Sequence, residues 1–149
     1  MPLYFAYGSN LAVEQMYARC PSARVVSVGC LREFRLDFTR YSSGWGGGVA
    51  DVLPDKNCEV WGLVFEVSEA ELKTLDTFEG VPTAYIRFEV CIYTTEGNLP
   101  KVWVYAVREK QPFTPPTTQY MRIIKHAAMK WQFPTSYCDL LDRFETHEY

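Results

Sequence analysis

Apolar and polar positions along the chain mostly mark out short strands. Leu3 to Tyr7 is an aromatic–aliphatic run cut off by Gly8-Ser9-Asn10, which predicts a strand ending in a sharp loop. Leu11 to Arg19 follows as a helix, ended ahead of Pro21 because the residue before a proline avoids the α region. Arg24 to Leu31 and Phe34 to Phe38 predict two strands. Trp45-Gly46-Gly47-Gly48 leads into a third at Val49 to Leu53, its glycines suggesting a bend or a close backbone approach, and Glu59 to Val67 predicts a fourth. Ser68-Glu69-Ala70-Glu71 reads as a capping box, with the Ser68 hydroxyl taking an orphan amide while Glu71 reaches back to the cap. The helix it opens buries Leu72 and Leu75, and Gly80 followed by Pro82 stops it. Ala84 to Thr95 alternates, with Ile86, Phe88, Val90 and Ile92 on one side and Tyr85, Arg87, Glu89 and Tyr93 on the other. Glu96-Gly97-Asn98 turns the chain back into Lys101 to Val107 as a hairpin. A proline-rich loop, Pro112 to Pro116, precedes a helix from about Thr118 to Trp131, and a last short helix follows Pro134. Strands outnumber helices and come in antiparallel pairs. The expected fold is α+β: a small mixed, mostly antiparallel β-barrel with peripheral helices.

At 149 residues, with 48% apolar and 22% charged residues, the chain fits one globular domain over 1–149 with a core large enough to enclose a pocket. A net charge of -3 argues against a phosphate-binding surface, so no nucleic acid partner is expected. No stretch is long and apolar enough for a membrane span, and MPLYFAYGSN has no basic n-region. The five cysteines are scattered and never paired as C-x-x-C, which reads as free thiols in a reducing compartment. A cytoplasmic address is expected.

Two segments carry chemistry. In Tyr4-Phe5-Ala6-Tyr7-Gly8-Ser9-Asn10-Leu11, a strand stops at Gly-Ser-Asn and a helix starts, leaving backbone N–H groups without internal partners; such a loop suits an anion or oxyanion. Taken alone, Gly-Ser-Asn is more often just a turn with a helix cap. In Leu75-Asp76-Thr77-Phe78-Glu79-Gly80-Val81-Pro82, Glu79 stands in the last helical turn, where the macrodipole disfavours a carboxylate, and Asp76 adds like-charge repulsion. Both effects push the Glu79 pKa upward, as a general base near neutrality requires. Charge placement by itself serves equally well for a solvated helix-end residue.

YFAYGSNL, LDTFEGVPTAYIRFEV and QYMRIIKHAA, in this order and at these separations, make the chain resemble the γ-glutamyl cyclotransferase family, with WGGGVADV and EVWGLVFEV falling where that family has strands. The resemblance covers nearly the whole chain. It implies a compact barrel with a pocket between the YGSN loop and the EG helix end. It also implies a cofactor-free, metal-free conversion of γ-glutamyl amino acids to 5-oxoproline and a free amino acid. The family's catalytic glutamate falls on Glu79. Its substrate-binding loop falls on Tyr4, Phe5, Ala6, Tyr7, Gly8 and Ser9, with Asn10 and Leu11 completing the motif. Its pocket tyrosine from the late helix falls on Tyr120, and the aromatic after the EG segment on Tyr85, where this chain is a residue shorter than some relatives. Relatives form homodimers, and a homodimer is among the expectations.

The chemistry agrees with the resemblance. The substrate's own α-amine closes a five-membered ring onto its γ-carbonyl, so no enzyme nucleophile is required. One carboxyl group can take the ammonium proton and return it to the departing amine, while loop amides hold the carboxylate or oxyanion and Tyr7 and Tyr120 fix the glutamyl end. His126 and His147 have no partners at ligand spacing, and Ser9 lacks a nucleophile elbow. Two alternatives stay open. One is the same ring closure on a γ-glutamyl amine, such as a γ-glutamyl-lysine crosslink, or on glutathione, whose specific relatives look more like YGSL. The other is a barrel that binds a small ligand without catalysis.

Overall fold

The computed structural model describes residues 1–148. Five strands close a barrel: β1 (Leu3–Ala6), β2 (Arg24–Ser42), β3 (Gly47–Glu66), β4 (Tyr85–Thr94) and β5 (Gly97–Val107), in the order β1-β3-β2-β4-β5. Every pairing is antiparallel except β1 with β5, which run parallel where Tyr4 meets Trp103 and complete the ring. Four helices lie around it: α1 (Val13–Arg19), α2 (Glu69–Glu79), α3 (Thr118–Lys130) and α4 (Thr135–Asp142). The strand pattern predicts a small closed or nearly closed barrel and the family resemblance adds the peripheral helices; both are present.

Closure needs two glycines. Gly29 of β2 pairs with Gly62 of β3. A Cβ on Gly62 would collide with the Ala6 carbonyl and the Phe5 ring, and one on Gly29 with Ile92. Side chains at this pair would hold β1 and β4 away from the long hairpin. Phe5, Leu63, Val64, Phe65, Ile92 and Val104 fill the core, each with 0% exposure.

Some boundaries differ from the sequence reading. The four expected strands between Arg24 and Val67 are two long ones, β2 and β3. Glu33 adopts a left-handed φ of 64°, and residues 55 to 58 bulge out between the pairs Arg32–Glu59 and Phe34–Pro54. Locally, a bulge carries the same residues as a strand end. The first helix starts at Val13, and a 3₁₀ turn over Ser9–Leu11 comes before it. In β4 a register shift between Val90 and Ile92 inverts the alternation. Tyr85 is therefore buried at one end and Ile92 at the other, while Ile86 is 41% exposed.

The Ser68 capping box is present, and the Glu71 carboxylate extends it. It accepts the Ser22 amide at 2.8 Å and the Ser22 hydroxyl at 2.7 Å, tying the chain after α1 to the start of α2. Gly80, left-handed at φ 70°, ends α2 directly after Glu79. Ser68→Ala is expected to cost about 1 kcal/mol. In a thermal melt this is a drop in Tm of roughly 3 °C, with turnover unchanged.

Candidate active site

The end of α2 and the turn after β1 face each other across a cavity of about 260 Å³. Tyr4, Tyr7, Gly8, Ser9 and Asn10 come from β1 and its turn, and Phe78, Glu79 and Gly80 from α2; Tyr85 and Tyr120 close the far side. Eight of the expected site residues therefore share one cavity: Glu79, Tyr4, Tyr7, Gly8, Ser9, Asn10, Tyr85 and Tyr120. Phe5 and Ala6 do not line it; each has 0% exposure and packs in the core behind the wall. Leu11 is also buried and faces a second cavity between α1 and α3.

Glu79 is half-buried at the end of α2 and lines the cavity. Burial raises its carboxyl to about 7, and the Arg19 guanidinium pulls the other way. The direction is the one expected from the sequence, but the cause differs. Asp76, expected to repel Glu79, is turned to another task. Its carboxylate accepts Arg87 Nε at 2.8 Å and Nη2 at 3.1 Å, and the Tyr105 hydroxyl at 2.7 Å. This charge is thereby neutralised and fixes the Tyr105 wall.

The tyrosines are not equivalent. Tyr7 donates its hydroxyl proton to the Tyr105 carbonyl at 2.6 Å, and Tyr85 donates to the Ala50 carbonyl at 3.1 Å, so both have spent their proton. Tyr4 instead accepts from Asn10 Nδ2 at 3.0 Å, and Tyr120 accepts from the Ala50 amide at 3.1 Å. These two keep a free O–H to aim into the cavity. Of the pair expected to hold the glutamyl end through hydroxyl donors, Tyr120 is free to donate and Tyr7 is not.

At Gly8 space, not a left-handed backbone, is what limits a side chain. A Cβ there would stand 3.0 Å from the Tyr120 hydroxyl and 3.2 Å from the Ala50 Cβ. The Asn10 side chain, 3% exposed, organises the turn: its Oδ1 accepts Gln15 Nε2 at 3.0 Å and Arg19 Nη1 at 3.1 Å.

Sequence reasoning missed Arg19, Arg40 and Tyr105, which line the cavity together with Ser42, Trp45 and Phe78. Arg19 is the last residue of α1 and lies over the Phe78 ring at 4.4 Å. Trp45 packs edge-on against Tyr120 at 5.0 Å. Phe78 lies within the segment already singled out, and its neighbour Glu79 could have marked it; a lone arginine on a helix or strand gives no comparable signal.

An AIG2-like family model matches residues 59–141 of the chain. A γ-glutamylcyclotransferase of Bos taurus is 36% identical over 152 residues, covering 99% of this chain and 80% of the relative, and the Homo sapiens protein of the same description matches equally. A solved γ-glutamyl cyclotransferase structure superposes with a TM-score of 0.92 at 35% identity, over 99% of this chain and 90% of the other.

Proposed function

The chain belongs to the γ-glutamylcyclotransferase family, and on that premise we propose that it converts γ-glutamyl amino acids to 5-oxoproline and a free amino acid, with Glu79 as the proton-transfer group. One observation supports the assignment above the others. Among the described residues Glu79 is the one carboxyl group on the cavity wall; burial raises it to about 7, and it shares that wall with the Gly8-Ser9-Asn10 turn.

The steps follow from that placement. The glutamyl group lies between Glu79 and the turn, and ionised Glu79 takes a proton from the substrate α-ammonium. The freed amine attacks the γ-carbonyl carbon, and the C–O π pair moves to oxygen. Because attacker and target belong to one molecule, the enzyme supplies orientation and no nucleophile. Amides of the turn, with the free hydroxyl of Tyr4 or Tyr120, stabilise the oxyanion. On collapse the bond to the leaving nitrogen breaks, and the Glu79 carboxylic acid protonates that nitrogen. The ring nitrogen then still carries one proton too many; Glu79, ionised again, takes it and passes it to the released amine, which departs as an ammonium, so the enzyme ends unchanged.

Incubation with γ-glutamyl-alanine, γ-glutamyl-ε-lysine and glutathione, with 5-oxoproline as readout, tests the reading. Product from γ-glutamyl-alanine is expected; product from none of the three would leave a binding protein. Because ionised Glu79 is the active form, kcat/KM for γ-glutamyl-alanine should rise with pH through a midpoint near 7. A midpoint near the ordinary carboxylate value of 4.5 would mean that Glu79 is solvated in the folded chain, and a rate that does not rise with pH between 4 and 8 would remove it as the base.

The reading extends to one domain over 1–149, to a homodimer and to a reducing, cytosolic setting. All five cysteines are free, and no helix among the described residues is long and apolar enough to cross a membrane.

A further inference from the structure

The cavity wall carries two guanidinium groups, and their surroundings differ. Arg19 is engaged: its Nη1 donates to Asn10 Oδ1 at 3.1 Å and its head lies over Phe78. It is also the cation felt by Glu79, which puts it on the side where the glutamyl amine must sit. Arg40 is different. It projects from β2, opposite Val49 of β3, and lines the cavity along with Ser42, Trp45 and Tyr85. Among the described residues it makes no ion pair and donates no side-chain hydrogen bond, although its charge is felt at the Tyr85 hydroxyl. Arg40 is exposed, at the open side of the cavity. A cation left without an anion beside a ligand cavity is a place for an anion supplied by the ligand.

Charge counting identifies that anion. A γ-glutamyl α-amino acid brings two carboxylates, one on the glutamyl group and one on the leaving residue. A γ-glutamyl amine brings only the first. With the reacting amine at Glu79 and the carbonyl at the turn, the leaving residue extends toward the open side, where Arg40 stands. We propose that Arg40 is a specificity-determining residue that binds the α-carboxylate of the leaving amino acid, which selects γ-glutamyl α-amino acids over γ-glutamyl amines. The assignment rests on the cyclotransferase reading above and deepens it. Arg40 touches neither the reacting carbonyl nor the amine, and its contact is the same in ground and transition states. Its removal therefore raises KM and leaves kcat near the parent value.

The experiment compares γ-glutamyl-alanine with γ-glutamyl-ethylamide, which has no leaving-group carboxylate, in the parent, Arg40→Gln and Arg40→Lys proteins. Arg40→Gln is expected to lose about tenfold in kcat/KM on γ-glutamyl-alanine, through KM, and less than about twofold on the ethylamide. Arg40→Lys, which keeps the charge without the forked donor, should recover part of the loss. Equal losses on both substrates, or no loss on either, would overturn the assignment while leaving the activity standing. A parent protein that makes no 5-oxoproline from either substrate would overturn the activity and Arg40's role with it. Thermal melts of the variants separate misfolding from lost recognition, because a folding defect lowers activity on both substrates alike.

Discussion

Glu79→Gln should lower kcat on γ-glutamyl-alanine by about 10²- to 10⁴-fold, the span that a positioned acid–base group supplies, with KM changed little. The amide has nearly the shape of the acid, so the cavity and the turn opposite it are retained. The same substitution should also change stability in a pH-dependent way. Burial sets the folded value at about 7, above the ordinary 4.5. Between those values the folded chain holds a proton that the unfolded chain has released, so stability is fully present below about 4.5 and falls as pH rises toward 7. Glutamine does not titrate. Glu79→Gln should therefore melt close to the parent at pH 4 and above it at pH 8. A variant inactive but equally stable at both pH values would mean that the carboxyl is solvated in the folded chain.

The second large effect lies just behind the wall. Asp51 has 0% exposure and accepts four hydrogen bonds: the Thr39 hydroxyl at 2.7 Å, the Val52 amide at 2.8 Å, the Val107 amide at 2.9 Å and Lys110 Nζ at 2.8 Å. One side chain thus joins β2, β3, the end of β5 and the loop beyond it. Asp51→Ala leaves several buried donors unmade at about 1–3 kcal/mol each, partly offset because Lys110 can turn to water. The expected net loss is about 4 kcal/mol, a fall in Tm of roughly 10 °C. Asp51→Asn keeps a carbonyl acceptor and should lose less. Activity should fall as well, because Ala50, next in the chain, holds both Tyr85 and Tyr120 through its own carbonyl and amide. A fall of only a degree or two would show that water enters and satisfies the freed donors.

What could be read in advance was whatever is encoded over a few residues. The Ser68 capping box, the Gly80 stop and the hairpin at Gly97 each depend on chain neighbours, and each is where the sequence puts it. Errors arose where a local signal had a non-local meaning. Residues 55 to 58 resemble a strand boundary but bulge from a continuous ladder, and the shift between Val90 and Ile92 reverses which face of β4 is covered. The acid at position 79 was legible as strained by its helix end, but its perturbation comes from enclosure, which only the assembled barrel creates. Arg19 and Arg40 were invisible for a related reason. Nothing in a heptad or an alternation marks a cation that comes to line a cavity because a distant strand passes beside it.

The parallel contact between β1 and β5 has one more consequence. The stave that seals the cylinder at Trp103 is also the one that delivers the glycine–serine turn to its acid. A barrel that is still ajar has Glu79 on α2 but no loop facing it. On the proposed mechanism, partly assembled chains should turn nothing over, and activity should appear only once the ring has closed.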